Sequence, residues 1–158
     1  MAMRVRSWMQ YPVVGVKPRD SAAHARALMN QHRVNQLPVL QGPRLVGIVT
    51  DRDVRDAFPS FAETTIPTRR RPPKGAEPSA IPVEDVMTHD VLTVEPDTPL
   101  DDAARLLRRE RIGALPVVSG GHVVGIITRS DLLDALAQLL ADETADRPRP
   151  GSTPDGLR

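Results

Sequence analysis

The sequence predicts a mixed α/β (α+β) fold in which two similar β-α-β-β-α units pack about a pseudo-twofold axis. Three observations lead there. Apolar runs at residues 45–49 and 123–127, each interrupted by a glycine (Gly47, Gly125), lead straight into Thr50, Asp51, Arg52, Asp53 and into Thr128, Arg129, Ser130, Asp131. β-Branched and aliphatic residues that stop at a Thr, with an Asp in the turn that follows, read as a buried strand feeding a capped helix. A constant shift of 78 without a gap then maps Met9 on Met87, Val16 on Val94, Pro18 on Pro96 and Ala25 on Ala103. It also maps Leu28, Arg33, Leu37, Pro38, Val39 and Gly42 on Leu106, Arg111, Leu115, Pro116, Val117 and Gly120, so the chain is an internal duplication. Finally, the 158 residues are 40% hydrophobic but only 3% aromatic, so the core is built from Val, Leu, Ile and Ala, which suits a small α/β packing.

Each repeat opens with an entry segment, residues 5–9 or 83–87, followed by a short strand at 13–16 or 91–94. A helix comes next. In the second repeat Thr98 reads as its N-cap, Pro99 as N1, and Asp101 and Asp102 as an acidic first turn, with Asp20 in the Thr98 position of the first repeat. Leu100, Ala103, Ala104 and Leu107, like Ala22, Ala25 and Met29, follow helical spacing and mark one buried face. Arg105, Arg108 and Arg109 form a basic ridge that reads as a solvated face. Strands at 37–40 and 115–118 are each joined by a Gly turn, at Gly42 or at Gly120 and Gly121, to the strand that ends in the Thr motif. The second motif helix is expected over 129–141, and the first ends before Pro59, which cannot continue it. Leu133, Leu136, Leu139 and Leu140 exceed what one buried face needs and point to a second subunit, hence a homodimer. The organisation is therefore a first unit (1–60), a Pro- and Arg-rich linker (61–82) with Ile66 and Ile81 as anchors, a second unit (83–141) and a mobile tail (142–158).

The pattern of a Met before a short strand, a helix, a Leu-Pro-Val strand and a Gly-aliphatic-aliphatic-Thr-x-x-Asp segment resembles the CBS-domain family in both repeats, that is, a tandem CBS pair. The resemblance spans about four fifths of the chain. The nearest likeness is to the acetoin-utilisation type of CBS protein, which carries a similar first motif and a long connection between repeats. That type usually adds a C-terminal ACT domain, which the residues after Ala141 do not encode.

Read as residues alone, Thr and Asp at these places are explained by helix capping; the same strand-to-helix junction also suits an anion, because first-turn N–H groups and the helix dipole favour one. A carboxylate accepts two neighbouring hydroxyls well, as in a ribose. The family resemblance implies the second role. It places ribose hydroxyls on Asp53 and Asp131, the sugar and phosphate near Thr50 and Thr128, and adenine between Val14, Gly15, Asn35 and Gln36 in one site and Leu92, Thr93, Gly113 and Ala114 in the other. The sites differ in charge. Asp51 adds a negative charge to the first, which Arg52 offsets only by turning toward the ligand, whereas Arg129 and Ser130 take the places of Asp51 and Arg52 in the second, making that site the better phosphate binder on charge alone.

Nucleophile-elbow, Walker and dinucleotide Gly-rich signatures are absent, and His24, His32, His89 and His122 are scattered, so neither catalysis nor a metal site is expected. There is no Cys, no apolar leader and no run approaching the roughly 18 residues of a membrane span, which leads to the expectation of a soluble, cytoplasmic protein. The resemblance implies a regulatory sensor of an adenosine-containing ligand such as AMP, ADP or ATP, with S-adenosylmethionine and NAD sharing the same adenosine. Two other readings stand beside it. A nucleic-acid binder would use Arg69, Arg70, Arg71, Lys74 and the Arg105 ridge, yet it lacks interleaved aromatics for stacking and the net charge is only +1. A structural dimer would leave the clefts empty.

Overall fold

In the computed structural model, which describes residues 3–57 and 80–145, prolines set the width of each sheet. The first repeat contains α1 (Ala22–His32), β1 (Gln36–Gln41), β2 (Arg44–Thr50) and α2 (Asp51–Ala57). The second contains α3 (Leu100–Glu110), β3 (Ala114–Ser119), β4 (His122–Thr128) and α4 (Arg129–Ala145). β1 pairs antiparallel with β2, and β3 with β4, in the same register and with the same bulge, between Val39 and Leu40 and between Val117 and Val118. The strand expected at 13–16 is reduced to one parallel bridge, Val16 to Val39, in which the Val16 N–H donates to the Pro38 carbonyl and the Leu40 N–H to the Val16 carbonyl. The next rung on one side needs an N–H from Pro38, and on the other side one from Pro18. Neither has one, so the ladder stops. Val94, Pro116 and Pro96 repeat the arrangement in the second unit.

The hairpin turns match their glycines. Gly120 and Gly121 both have positive φ (57° and 78°), the requirement of a two-residue turn twisted with its strands, and Gly42 (φ 62°) does the same ahead of Pro43. The helix caps fall differently from expectation. α1 is capped by Ser21, whose Oγ accepts from the His24 N–H at 3.1 Å, and not by Asp20. Asp20 and Thr98 instead close the preceding turn, accepting from the N–H groups of Lys17 and Glu95, while Pro99 stands at the N-cap of α3 without a side-chain bond. Both bonds run to the amide three residues before, one of the local side chain to backbone patterns open to Asp and Thr outside a helix. α4 runs to Ala145, beyond the expected 141, and α2 is only seven residues long.

The two repeats exchange their entry segments. Val5 is fully buried in the second core, with Val94, Leu100, Leu107, Leu115, Val117 and Ile127, and Met3, Trp8 and Met9 pack beside it. Conversely Ile81 and Val83 are buried in the first core, among Val16, Met29, Leu37, Val39, Val49 and Val54, with Val86 and Met87 against it. Backbone bonds follow the same symmetry: the Val5 N–H donates to the Thr98 carbonyl and the Val83 N–H to the Asp20 carbonyl, while the N–H groups of Leu100 and Ala22 donate to the carbonyls of Met3 and Ile81. Burying a valine of this kind is worth about 1.5–3 kcal/mol, so each repeat depends on the other for part of its core. Ile81 is an anchor as expected; Ile66 and most of the linker lie outside the described residues.

Candidate functional site

Each Thr motif is locked at its strand-to-helix junction by a reciprocal cap. Asp53 Oδ2 accepts from both the N–H and the Oγ1–H of Thr50 at 2.8 Å, and Thr50 Oγ1 accepts from the Asp53 N–H at 3.1 Å. Asp131 Oδ2 makes the same pair of bonds with Thr128 at 2.7 Å, with a 3.4 Å return bond to Thr128 Oγ1. The next amide is taken as well, since the Asp51 N–H donates to the Asn35 carbonyl and the Arg129 N–H to the Gly113 carbonyl. Capping is therefore a real role of these residues. It also removes most of the free first-turn N–H groups that the sequence alone offered to a phosphate.

What separates the two carboxylates is their second oxygen. Asp131 is 6% exposed and its Oδ1 accepts from Gln10 Nε2 at 2.8 Å, across 121 residues of chain. Asp53 is half-buried, and among the described residues its Oδ1 has no hydrogen-bond partner.

Between the motifs lies one continuous cleft of about 920 Å³ that both repeats line. It brings together Val14, Asn35, Gln36, Thr50 and Arg52 from the first expected site and Leu92, Gly113, Ala114, Thr128, Arg129 and Ser130 from the second. The expected walls meet: a Cβ on Gly113 would stand 2.9 Å from Gln36 Nε2, so a larger residue there would make the Gln36 amide shift. Four expected residues are not on the cleft lining, namely Gly15, Thr93, Asp53 and Asp131. Gly15 packs inward, where a Cβ would meet the Pro38 carbonyl and Leu40 Cδ1 at 2.9 Å. The two Asp residues sit behind their threonines because the caps turn them back toward the strand ends.

Sequence reasoning missed three arginines of the lining. Arg33, Arg55 and Arg111 join the expected Arg52 and Arg129 around the cleft, against Asp51 and Asp90. Arg33 and Arg111, one repeat shift apart, close α1 and α3 in the left-handed conformation (φ 54° and 56°), which costs a non-glycine residue about 1–2 kcal/mol. Their match in the duplication was visible in the sequence, but not their place at a cleft. The offset of Asp51 is also assigned differently: Arg55 pairs with it at 2.8 Å, while Arg52 leans toward Asp56 at 3.9 Å. With Asp51 neutralised, the charge argument favouring the Thr128 site weakens. Arg129 is held to the Ile112 carbonyl by its Nε at 3.0 Å, which leaves the rest of its guanidinium for a ligand.

Among the described residues no cluster of His, Cys, Asp or Glu is built to hold a metal ion, and no helix is long and apolar enough to cross a membrane.

The duplicated strand-to-helix motif, the exchanged entries and the shared cleft define a tandem pair of β-α-β-β-α modules, and the CBS domain model matches residues 5–60 and 83–138. The chain belongs to the CBS-domain family. It is similar to the CBS domain-containing protein YhcV of Bacillus subtilis, 30% identical over 128 residues that make up 81% of each chain. It is also 37% identical over 130 residues to an inosine-5'-monophosphate dehydrogenase of Korarchaeum cryptofilum, but there the match spans 82% of this chain and only 23% of the dehydrogenase. Among solved structures, the acetoin utilization protein AcuB of Vibrio cholerae superposes with a TM-score of 0.76 at 26% identity, covering 94% of this chain and 100% of that one. CBSX2 in complex with AMP superposes with a TM-score of 0.67 at 28% identity, covering 87% and 98%.

Proposed function

We propose that this CBS pair is a regulatory sensor that binds an adenosine-containing ligand of the AMP, ADP or ATP class in the shared cleft, reports its occupancy by a change of shape and carries out no reaction itself. The observation that supports it most is the cleft: it joins Thr50, Thr128 and six of the eight residues expected as adenine walls, and it sets five arginines against two aspartates. A ligand with an apolar base, a diol and one or more phosphates fits that lining. The relative CBSX2 was solved with AMP, which supports the same class here. In this reading Asp53 Oδ1 takes a ribose hydroxyl by turning past Thr50, and Arg33, Arg111 and Arg129 take phosphate. S-adenosylmethionine and NAD present the same adenosine and enter the test as competitors. Calorimetric titration of AMP, ADP and ATP into protein freed of carried-over ligand tests the proposal; absence of saturable heat with all three sinks it.

The sensor is proposed to work as a homodimer. Leu133, Leu136, Leu139 and Leu140 on α4 are 65, 50, 47 and 56% exposed, an apolar face that one module leaves uncovered. The nucleic-acid reading loses ground, because Arg105 of its ridge is paired with Asp101 at 3.1 Å and Asp102 at 3.5 Å, and residues 69–74 lie outside the described chain.

A further inference from the structure

We infer that Gln10 is a latch on the second site: its side-chain amide competes with a ribose hydroxyl for Asp131 Oδ1, so the Thr50 site fills first and the Thr128 site fills only as Gln10 lets go. This deepens the proposed nucleotide-sensing reading and rests on it. The latch is a departure from the symmetry of the repeat. Gln10 and Thr88 are one repeat shift apart and hold equivalent places, Gln10 bridged to Ile126 on β4 and Thr88 bridged to Ile48 on β2, each by a pair of backbone bonds. Both line the cleft. Only Gln10 carries a side chain that reaches the motif carboxylate, donating at 2.8 Å to Asp131 Oδ1; among the described residues Thr88 makes no bond to Asp53.

The chemistry of the carboxylate makes the competition direct. Asp131 Oδ2 is already filled by the Thr128 N–H and Oγ1–H, so Oδ1 is the oxygen left for a sugar, and an amide donor and a hydroxyl donor want the same lone pairs. Gln10 itself is exposed, so it can swing into the cleft without opening the core. Its backbone bridge to Ile126 follows directly on Met9, which packs in the second core; release of the amide therefore acts on the entry segment that the first repeat lends to the second.

The test is a set of calorimetric titrations with AMP and ATP. The Thr128 site is isolated in a D53N background and the Thr50 site in a D131N background, and Gln10→Thr and Thr88→Gln copy each repeat's residue into the other. The latch predicts that Q10T tightens the Thr128 site at least about tenfold, the scale set by loss of one competing bond to a charged group, and that T88Q weakens the Thr50 site. In wild-type protein the Gln10 side-chain amide signal, assigned by its loss in Q10T, moves as the second equivalent of nucleotide binds. If wild-type protein binds nucleotide but Q10T leaves the Thr128 site unchanged or weaker, the latch is overturned while the sensor reading survives. If neither wild-type protein nor any variant binds, both fall together.

Discussion

Met87 lies over Gly47 so closely that a Cβ on that glycine would run into its sulfur and stand 2.9 Å from the Thr88 carbonyl oxygen. The contact joins the entry segment of the second repeat to β2 of the first, and Met9 over Gly125 is its counterpart, at 2.6 Å from the sulfur and 3.2 Å from the Gln10 carbonyl. Gly47→Ala is expected to lower stability by about 1–3 kcal/mol, because the backbone at Thr88 must move as well as the thioether. Gly125→Ala has more room at the backbone and should cost less. Urea unfolding of the two variants checks the order; equal midpoints to wild type for Gly47→Ala would mean that the entry segments do not bind as described.

The caps give the motif carboxylates a part in the fold beside the one proposed for them at a ligand. From its place in a first turn alone, Asp131→Ala would cost about 0.3–1 kcal/mol. The structure gives this carboxylate three donors, from Thr128 and Gln10, so the expected loss rises to the scale of a lost cap, about 0.5–2 kcal/mol, with the Gln10 bond in addition. Asp53→Ala, which loses only the Thr50 bonds, should melt higher than Asp131→Ala in thermal scans without ligand. The reverse order would count against the asymmetry at the second oxygen.

Arg33 and Arg111 occupy a conformation that suits glycine. Arg33→Gly is expected to be neutral or to gain up to about 1 kcal/mol of stability, the relief of left-handed strain being partly cancelled by the greater freedom of an unfolded glycine. Affinity for ATP should fall several-fold, affinity for adenosine should not, and the salt dependence of ATP binding should flatten. A variant that binds ATP and adenosine as wild type does would take this arginine out of the phosphate site.

The leucine face of α4 is expected to hold two chains together. Leu136→Glu and Leu139→Glu place charges in that face, where they cannot be buried unpaired, and should convert a dimer into a monomer in light scattering at tens of micromolar. A wild-type monomer at that concentration would refute the dimer outright.

Much of the fold was legible because duplication doubles every signal. The shift of 78 tied Leu37, Pro38 and Val39 to Leu115, Pro116 and Val117, and the glycines marked both hairpins. The short first strands were over-read, since a run of valines says nothing about which N–H groups its neighbour lacks, and that is decided by Pro18 and Pro38 in space. The exchange of entry segments was likewise hidden, because Val5 and Val83 are buried residues in either repeat and pattern alone does not say whose core they fill. At the cleft, the Thr motifs could be found by repetition. Gln10 could not: its partner is 121 residues away and its counterpart, Thr88, is a different residue, so the repeat itself concealed it.

The central claim, that the cleft takes the ribose of an adenosine ligand on a motif carboxylate, is tested most directly by calorimetry with ATP and 2′-deoxy-ATP on wild-type protein and Asp53→Asn. Asn keeps an oxygen for Thr50 but presents an amide donor where the sugar needs an acceptor. A lost bond to a charged group is worth about 1.5–3 kcal/mol, so binding at the Thr50 site should weaken at least tenfold either on removing the 2′-hydroxyl or on the substitution, and the two losses should not add. Equal affinities for ATP and 2′-deoxy-ATP in both proteins would contradict the account, for the carboxylates would then serve their helices alone.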